Sequence, residues 1–287
     1  MIILDLNQVM ISNLMAQIGN HTNIDIDENL LRHMILNTIR ALNMKFKSEY
    51  GELVIACDDK NYWRKDIFPF YKASRSEDRD KSEINWTVVF NSLNKIRQEL
   101  KDFFPYKVIQ IDRAEADDII GTLVHERFGK TFGGEKVLIL SGDKDFKQLQ
   151  VYPNVYQYDP VKKKFLRETD PERYLKEHII RGDKGDGVPN ILSDANSYVI
   201  KKRCKSIFET KLELWLKCET PEQFCDSKQI IRWYQNRDLV DLKRIPDSVK
   251  NEILNTFDSM KSKGRGMLFD YFINHNIKNL MDSIGDF

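Results

Sequence analysis

Acidic residues recur at one kind of place in this chain of 287 residues: directly after short apolar runs. The run at 2–4 ends in Asp5. Leu53–Cys57 ends in Asp58 and Asp59. The run at 108–111 ends in Asp112 and is followed by Glu115, Asp117 and Asp118. Val137–Leu140 leads into Ser141, Gly142, Asp143, Lys144 and Asp145. If these runs are parallel strands of one open sheet, their C-terminal ends share a single rim, which is where such sheets bind ligands. Carboxylates about 4 Å apart repel by roughly 4 kcal/mol at an effective dielectric of 20. A crowd of them therefore demands protons or cations. Oxygen-only donors select a hard ion, so magnesium, with manganese as substitute, is the expected cofactor and zinc is not. The set suffices for two ions, and a pair about 3.5–4 Å apart clamps a phosphodiester. A lone Asp after a strand is usually a cap or turn residue. Asp59 and Asp112 are read that way; the joint recurrence of the others is read as a metal pocket.

A second acidic element is the stretch from Arg181 to Pro189, RGDKGDGVP. Its three glycines and proline make a tight loop after a helix. It brings Asp183 and Asp186 within reach of the pocket, or else is a plain solvated turn. The Arg-Gly-Asp tripeptide within it is incidental, and so is Gly129-Lys130-Thr131. A phosphate-cradling loop needs another glycine at 124, where valine stands. No GxGxxG follows the first run, so dinucleotide binding is not expected. The five histidines are too scattered for a zinc site, and Cys57, Cys204, Cys218 and Cys225 form no CxxC. They read as reduced thiols.

The elements that must position these groups are legible in outline. Continuous rather than alternating apolar runs fit strands buried on both faces. Between them lie helical stripes over 28–46, 86–104 and 116–128. Strand and helix in alternation describe a layered α/β domain. Residues 61–83 interrupt the rhythm with a charged, aromatic insertion that reads as surface, part helical and outside the core. After about 160 the strand signals fade. Residues 171–182 read as a helix with Pro171 near its start and Gly182 at its stop. The expected division is an α/β core over 1–175 and a helical lobe over 176–287. Hydrophobic residues make up 41% of the chain, enough for a sizeable core, and charged residues 31%, with a formal net charge of +1. No apolar run is long enough to span a bilayer and no signal peptide is evident, so a cytoplasmic location without membrane partners is expected.

Taken together, the strings ILDLNQV, VIACDDKNYWRKDIFPFYKASR, EADDII, LILSGDKDF and LKEHIIRGDKGDGVP resemble the 5′ nuclease family. That family includes flap endonucleases and the 5′ nuclease domain of bacterial DNA polymerase I. The phage branch, the ribonucleases H of T-even type, is the most similar. The resemblance implies a PIN-like fold, a mostly parallel central sheet flanked by helices, with the insertion at 61–84 forming an arch and the C-terminal helices holding duplex. It implies that Asp5, Asp58, Glu115, Asp117 and Asp143 hold one magnesium ion, and Asp145, Asp183 and Asp186 a second. Asp118 would act through water. Lys72 would be the active-site lysine, with Tyr71 stacking beside it and Lys65 and Arg75 also meeting nucleic acid. The implied activity is 5′ to 3′ exonuclease and flap cleavage of RNA–DNA and DNA–DNA duplexes, removing RNA primers from lagging-strand fragments in phage replication. The implied partners are a single-stranded-DNA-binding protein and a sliding clamp, acting on a monomer in the host cytoplasm.

The chain departs from the family in one motif. Where cellular members carry a Gly-Ile-Gly hairpin that binds potassium and duplex, residues 190–194 read Asn-Ile-Leu-Ser-Asp. Lys201, Lys202, Arg203, Lys205, Lys261, Lys263 and Arg265 are the alternative duplex-holding groups. Starting almost at the first strand, the chain is expected to have little or no clamp-contacting tail before it. A PIN-type single-strand ribonuclease is the rival enzyme, and a nucleic-acid-binding scaffold with a degenerate pocket is the non-catalytic one.

Overall fold

The computed structural model of the chain describes residues 1–19, 27–82, 84–129 and 135–287, without the side chains of 76, 78 and 80. Glu83, Lys130 and Thr131 of the sequence analysis lie outside it. Six strands form one sheet: β1 (Ile2–Asp5), β2 (Leu53–Cys57), β3 (Lys107–Gln110), β4 (Val137–Leu140), β5 (Val155–Asp159) and β6 (Lys164–Leu166). Their order is β3-β2-β1-β4-β5-β6. All neighbours pair in parallel except β6, which closes the edge antiparallel to β5. The chain leaves β1 toward β2 and β3, then crosses back to β4 on the other side. The order therefore reverses between β1 and β4, and a crevice opens beyond their C-terminal ends.

The four early strands stand where the apolar runs fall. β5 and β6 escaped sequence reading because VYQYD carries polar residues among its apolar ones, and KFL is three residues long at the sheet edge.

The helices are α1 (Leu6–Ile18), α2 (Glu28–Tyr50), α3 (Arg64–Ile67), α4 (Ser74–Asp80), α5 (Trp86–Phe103), α6 (Ala116–Leu123), α7 (Pro171–Arg181), α8 (Glu209–Lys217), α9 (Ser227–Val240), α10 (Asp247–Ser259) and α11 (Leu268–Asn274). Their starts carry side-chain caps, Asp27 for α2, Asn85 for α5 and Asp170 for α7, which satisfy otherwise orphaned amides. No helix among the described residues is long and apolar enough to cross a membrane.

Side chains alternate across the pleat, so both faces are buried. Ile2, Leu4, Ile55 and Leu138 meet α1, α2, α5 and α11. Ile3, Val54, Ile109 and Ile139 meet α6, α10 and the 3-10 turns at Lys144–Val151. From Leu242 on, the chain returns to the sheet. Leu242, Ile245, Val249 and Ile253 join the second face, and Leu268, Tyr271, Phe272, Leu280 and Phe287 join the first.

The insertion differs from its sequence reading. Trp63, Arg64, Phe68 and Tyr71 are buried, and Phe68 and Tyr71 pack with Val188, Leu239 and Val240. Its apolar side chains have a local core to enter, because α9 and the loop after α7 come against it. Only the later part, around α4, is charged surface.

Candidate active site

Asp5 closes β1 and begins α1. Its carboxylate accepts from the Gln8 amide at 3.2 Å and from the Ser141 hydroxyl at 3.0 Å, the latter across the β1–β4 crevice. Asp58, after β2, accepts from the Ala116 amide at 2.6 Å and from the Asn7 side chain. Glu115 is the N-cap of α6, and Asp117 sits in the first turn. Asp143 follows β4 and accepts from the Asp145 amide at 2.9 Å. All five line one cavity of about 710 Å³, together with Lys72, Arg75, Tyr62, Trp86, Phe90 and Arg97. Chemistry read from positions scattered between 5 and 143 thus meets at one rim.

The five carboxylates are not equivalent. Burial, then the charge of Asp58, pushes Asp5 up to about 7. Burial, then Asp143 and Glu115, raises Asp117 well above the usual carboxylate range. Burial also raises Asp58. Glu115 goes the other way: burial opposes its ionisation, but Lys72 and Arg64 outweigh it. Arg64 and the Tyr71 hydroxyl each donate to one Glu115 oxygen at 2.9 Å, and the Lys72 ammonium pairs with the other. Protein cations therefore neutralise Glu115, whereas Asp5 and Asp117 have no cation paired with them among the described residues and ionise only at a cost. An oxygen-rich seat with unbalanced buried charge is chemically suited to a hard divalent ion.

Asp118 is not part of this cavity. Its carboxylate ion-pairs with Arg64 at 2.8 Å, accepts from the Trp63 indole at 3.0 Å and caps the Glu115 amide at 2.8 Å. The expectation that it acts on a metal, through water, is corrected: facing the helix side of its turn, it anchors the insertion to α6. Tyr71 is corrected as well. Only 3% exposed, its ring is packed with Phe68, Val188, Leu239 and Val240 and its hydroxyl donates to Glu115 and Asp186, so no base can stack on it. Tyr62, half-buried at the cavity wall, is the aromatic of the insertion that faces the space. Lys65 is exposed over the Tyr62 ring at 5.4 Å and does not line the cavity. Lys72 lines it. With φ of 56°, its backbone amide donates to the Asp186 carbonyl at 2.8 Å, and the Lys72 ammonium is held above its ordinary pKa despite burial by Glu115 and then Asp186.

The loop after α7 carries the remaining acids. Gly182 turns it with φ of 68°; a Cβ there would lie 2.4 Å from the Val188 carbonyl oxygen. Asp183 accepts from the Gly185 amide at 2.7 Å and pairs with Lys144 at 2.9 Å. Burial is outweighed by His178 and Lys144, which hold its carboxyl below the usual range. Asp186 is claimed from the insertion side, by Arg75 at 2.7 Å and Tyr71 at 2.9 Å. Asp145 gathers with His178 and Asp183 in metal-binding proximity. In the sequence the histidines read as too scattered for a zinc site. His178 falls within this group because the last turn of α7 folds over Lys144–Val151, a long-range packing that spacing alone does not reveal. Trp86 and Phe90 at the cavity were also missed because the apolar stripe of α5 reads as core, and Arg79 and Arg97 because they read as solvated charges.

A family model described as the 5′-3′ exonuclease N-terminal, resolvase-like domain matches residues 2–179. One described as the C-terminal part of T4 RNase H matches residues 169–287. The chain belongs to the 5′-3′ exonuclease family, enzymes of the phosphodiester bond. Along 99% of its length it is 31% identical to the ribonuclease H of Enterobacteria phage T4, covering 95% of that protein. It is 32% identical over 55% of its length to a 5′-3′ exonuclease of Buchnera aphidicola subsp. Schizaphis graminum, covering 53% of that protein. Two solved structures from bacteriophage T5 share the fold. One is its 5′-exonuclease bound to divalent zinc, with TM-score 0.60 and 15% identity, covering 90% of this chain and 98% of that one. The other is its flap endonuclease with DNA and metal ions, with TM-score 0.59 and 17% identity, covering 90% and 99%.

Proposed function

We propose that the protein is a magnesium-dependent 5′ to 3′ exonuclease and flap endonuclease that removes RNA primers from lagging-strand fragments during phage DNA replication. The observation that supports it most is the shared cavity of Asp5, Asp58, Glu115, Asp117 and Asp143, with Lys72 at its wall. Asp5, Asp58, Glu115, Asp117 and Asp143 are the residues that would hold one magnesium ion, with manganese as substitute, and Asp145, Asp183 and Asp186 those that would hold a second. Bound, such ions supply charge that acidifies a water molecule and neutralises the phosphodiester. The chain's own residues do the rest. Lys72 leaves Glu115 for the scissile phosphate and stabilises the charge developing there. Arg64 and Tyr71 keep Glu115 oriented as it does so. Tyr62, Trp86 and Phe90, with Arg75, Arg79 and Arg97, offer a single strand aromatic faces and phosphate partners in one wall.

In this reading the insertion is a short arch over the entering 5′ end. Residues 1–175 carry the nuclease core, and in 176–287 the helices before Leu242 hold RNA–DNA or DNA–DNA duplex while the rest packs back on the sheet. Lys201, Lys202, Arg203 and Lys205 meet the backbone in place of a potassium hairpin. The working form is a monomer in the host cytoplasm, cooperating with a single-stranded-DNA-binding protein and a sliding clamp. The test is digestion of a 5′-labelled RNA–DNA hybrid and a 5′-flap DNA, with and without magnesium. Cleavage of both from the 5′ side only with the ion is expected. Cutting of unstructured single-stranded RNA alone would turn the assignment to a PIN-type ribonuclease.

A further inference from the structure

We propose that His178 and Asp145 form a mixed nitrogen–oxygen cation seat, with Asp183 orienting the imidazole, and that this seat prefers manganese or cobalt to magnesium. The inference rests on the metal-dependent reading above and gives its second ion a ligand of a different kind. His178 is 6% exposed, in the last turn of α7. One ring nitrogen, Nε2, lies 3.2 Å from Asp183 Oδ2. The other, Nδ1, lies 3.4 Å from Asp145 Oδ1. Asp183 is an acceptor already ion-paired to Lys144, so the ring proton belongs on Nε2, donated to it. That leaves the Nδ1 lone pair facing the lone pair of a carboxylate oxygen.

Both of these atoms are buried, and neither has a hydrogen-bond partner. Two facing acceptors without a proton between them repel, and burial removes the water that would relieve it. A cation bound by both turns the repulsion into coordination. The hydrogen bond from the far ring nitrogen to a carboxylate is the arrangement that fixes a metal-binding imidazole in its tautomer and orientation. Imidazole nitrogen suits first-row transition ions, for which the affinity of such a site rises from manganese through cobalt, better than magnesium, whose preferred ligands are oxygens. The five-carboxylate set around Asp5 offers no nitrogen, so the two places differ in ion preference. Lys144 lies over Asp183 at 2.9 Å with half its side chain in solvent, so it can swing clear when an ion enters.

The experiment uses the full chain without nucleic acid, titrated with manganese and read by pulsed electron paramagnetic resonance. The expected result is a nitrogen coupling on bound manganese in the wild type. It is expected to vanish in His178→Gln, with manganese affinity at that seat falling at least about tenfold, and to persist in Asp5→Asn. Circular dichroism checks folding; if His178→Gln does not fold, Asp145→Asn, which keeps the ring, carries the same affinity expectation. A wild type without nitrogen coupling that still cleaves a 5′ flap with magnesium overturns this inference alone. So does coupling that survives in His178→Gln, which would leave the ring a proton bridge between two carboxylates. A wild type that binds no manganese and cuts nothing takes the nuclease reading down as well.

Discussion

Asp5 and Glu115 face the same cavity, yet their neighbours move them in opposite directions. Glu115 has Lys72 and Arg64 against it; Asp5 has only neutral donors and other acids. Substituting Asp5→Asn should therefore abolish cleavage while leaving the metal-free protein at least as heat-stable as the wild type, because a buried charge without a cation is removed. Activity assay and thermal melting in chelator check the two halves. Lys72→Ala should cost about 10²–10³ in cleavage rate, by analogy with loss of one charge-stabilising donor. Single-turnover kinetics reads this directly, and a rate unchanged within a few-fold would remove Lys72 from the mechanism. The acids of the first set were legible because each follows an apolar run. Asp118, Tyr71 and His178 were not, since all three turn on direction rather than position. Asp118 is next to Asp117 in sequence but points a third of a helical turn away, toward Arg64.

Between elements, the clearest lock joins α2, α5 and α11. Arg32, buried, donates to both oxygens of Glu99 at 2.7 and 2.9 Å and to Glu28 at 2.8 Å, while the Tyr271 hydroxyl donates to Glu99 at 2.8 Å. Arg32→Ala leaves Glu99 buried without its cation and should cost about 3–5 kcal/mol, measured by denaturant unfolding. Glu28 makes the lock sensitive to pH. Burial pushes its carboxyl up, but Lys95 and Arg32 outweigh that and hold it below the usual 4.5. A lowered folded pKa means its contribution is whole above about pH 4.5 and lost as pH falls through the lowered value. The melting temperatures of wild type and Glu28→Gln should thus converge as the solution is acidified below that point. None of this network was read in the sequence, where Arg32 and Glu99 are two charges among many on solvated helix faces. The helices themselves were legible from their stripes, and the turn at Gly182 from its glycine. The inward half of the insertion was not, because its partners Leu239 and Val240 lie some 170 positions further along.

At the level of the whole molecule, the chain after α9 closes on the sheet it started from. Phe287, Leu280 and Tyr271 cover Phe104 and the α2–α5 face. Deleting residues 268–287 should therefore lower the melting temperature of the entire protein and expose apolar surface, seen as dye binding, instead of merely weakening nucleic-acid affinity. A truncation that kept full stability and lost only duplex binding would contradict this packing. Fold class was legible because strand and helix alternate with distinct periods; the return of the C-terminal helices was not, because an apolar stripe says that a face is covered and not by what. The rim acids enter at Asp5 and finish at Asp186, and the loop bearing Asp186 hangs on Arg75 and Tyr71 of the insertion. A nascent chain still leaving the ribosome thus has β1 in hand but no complete centre. The last of these acids can join the rim only once almost two-thirds of the polypeptide has been made.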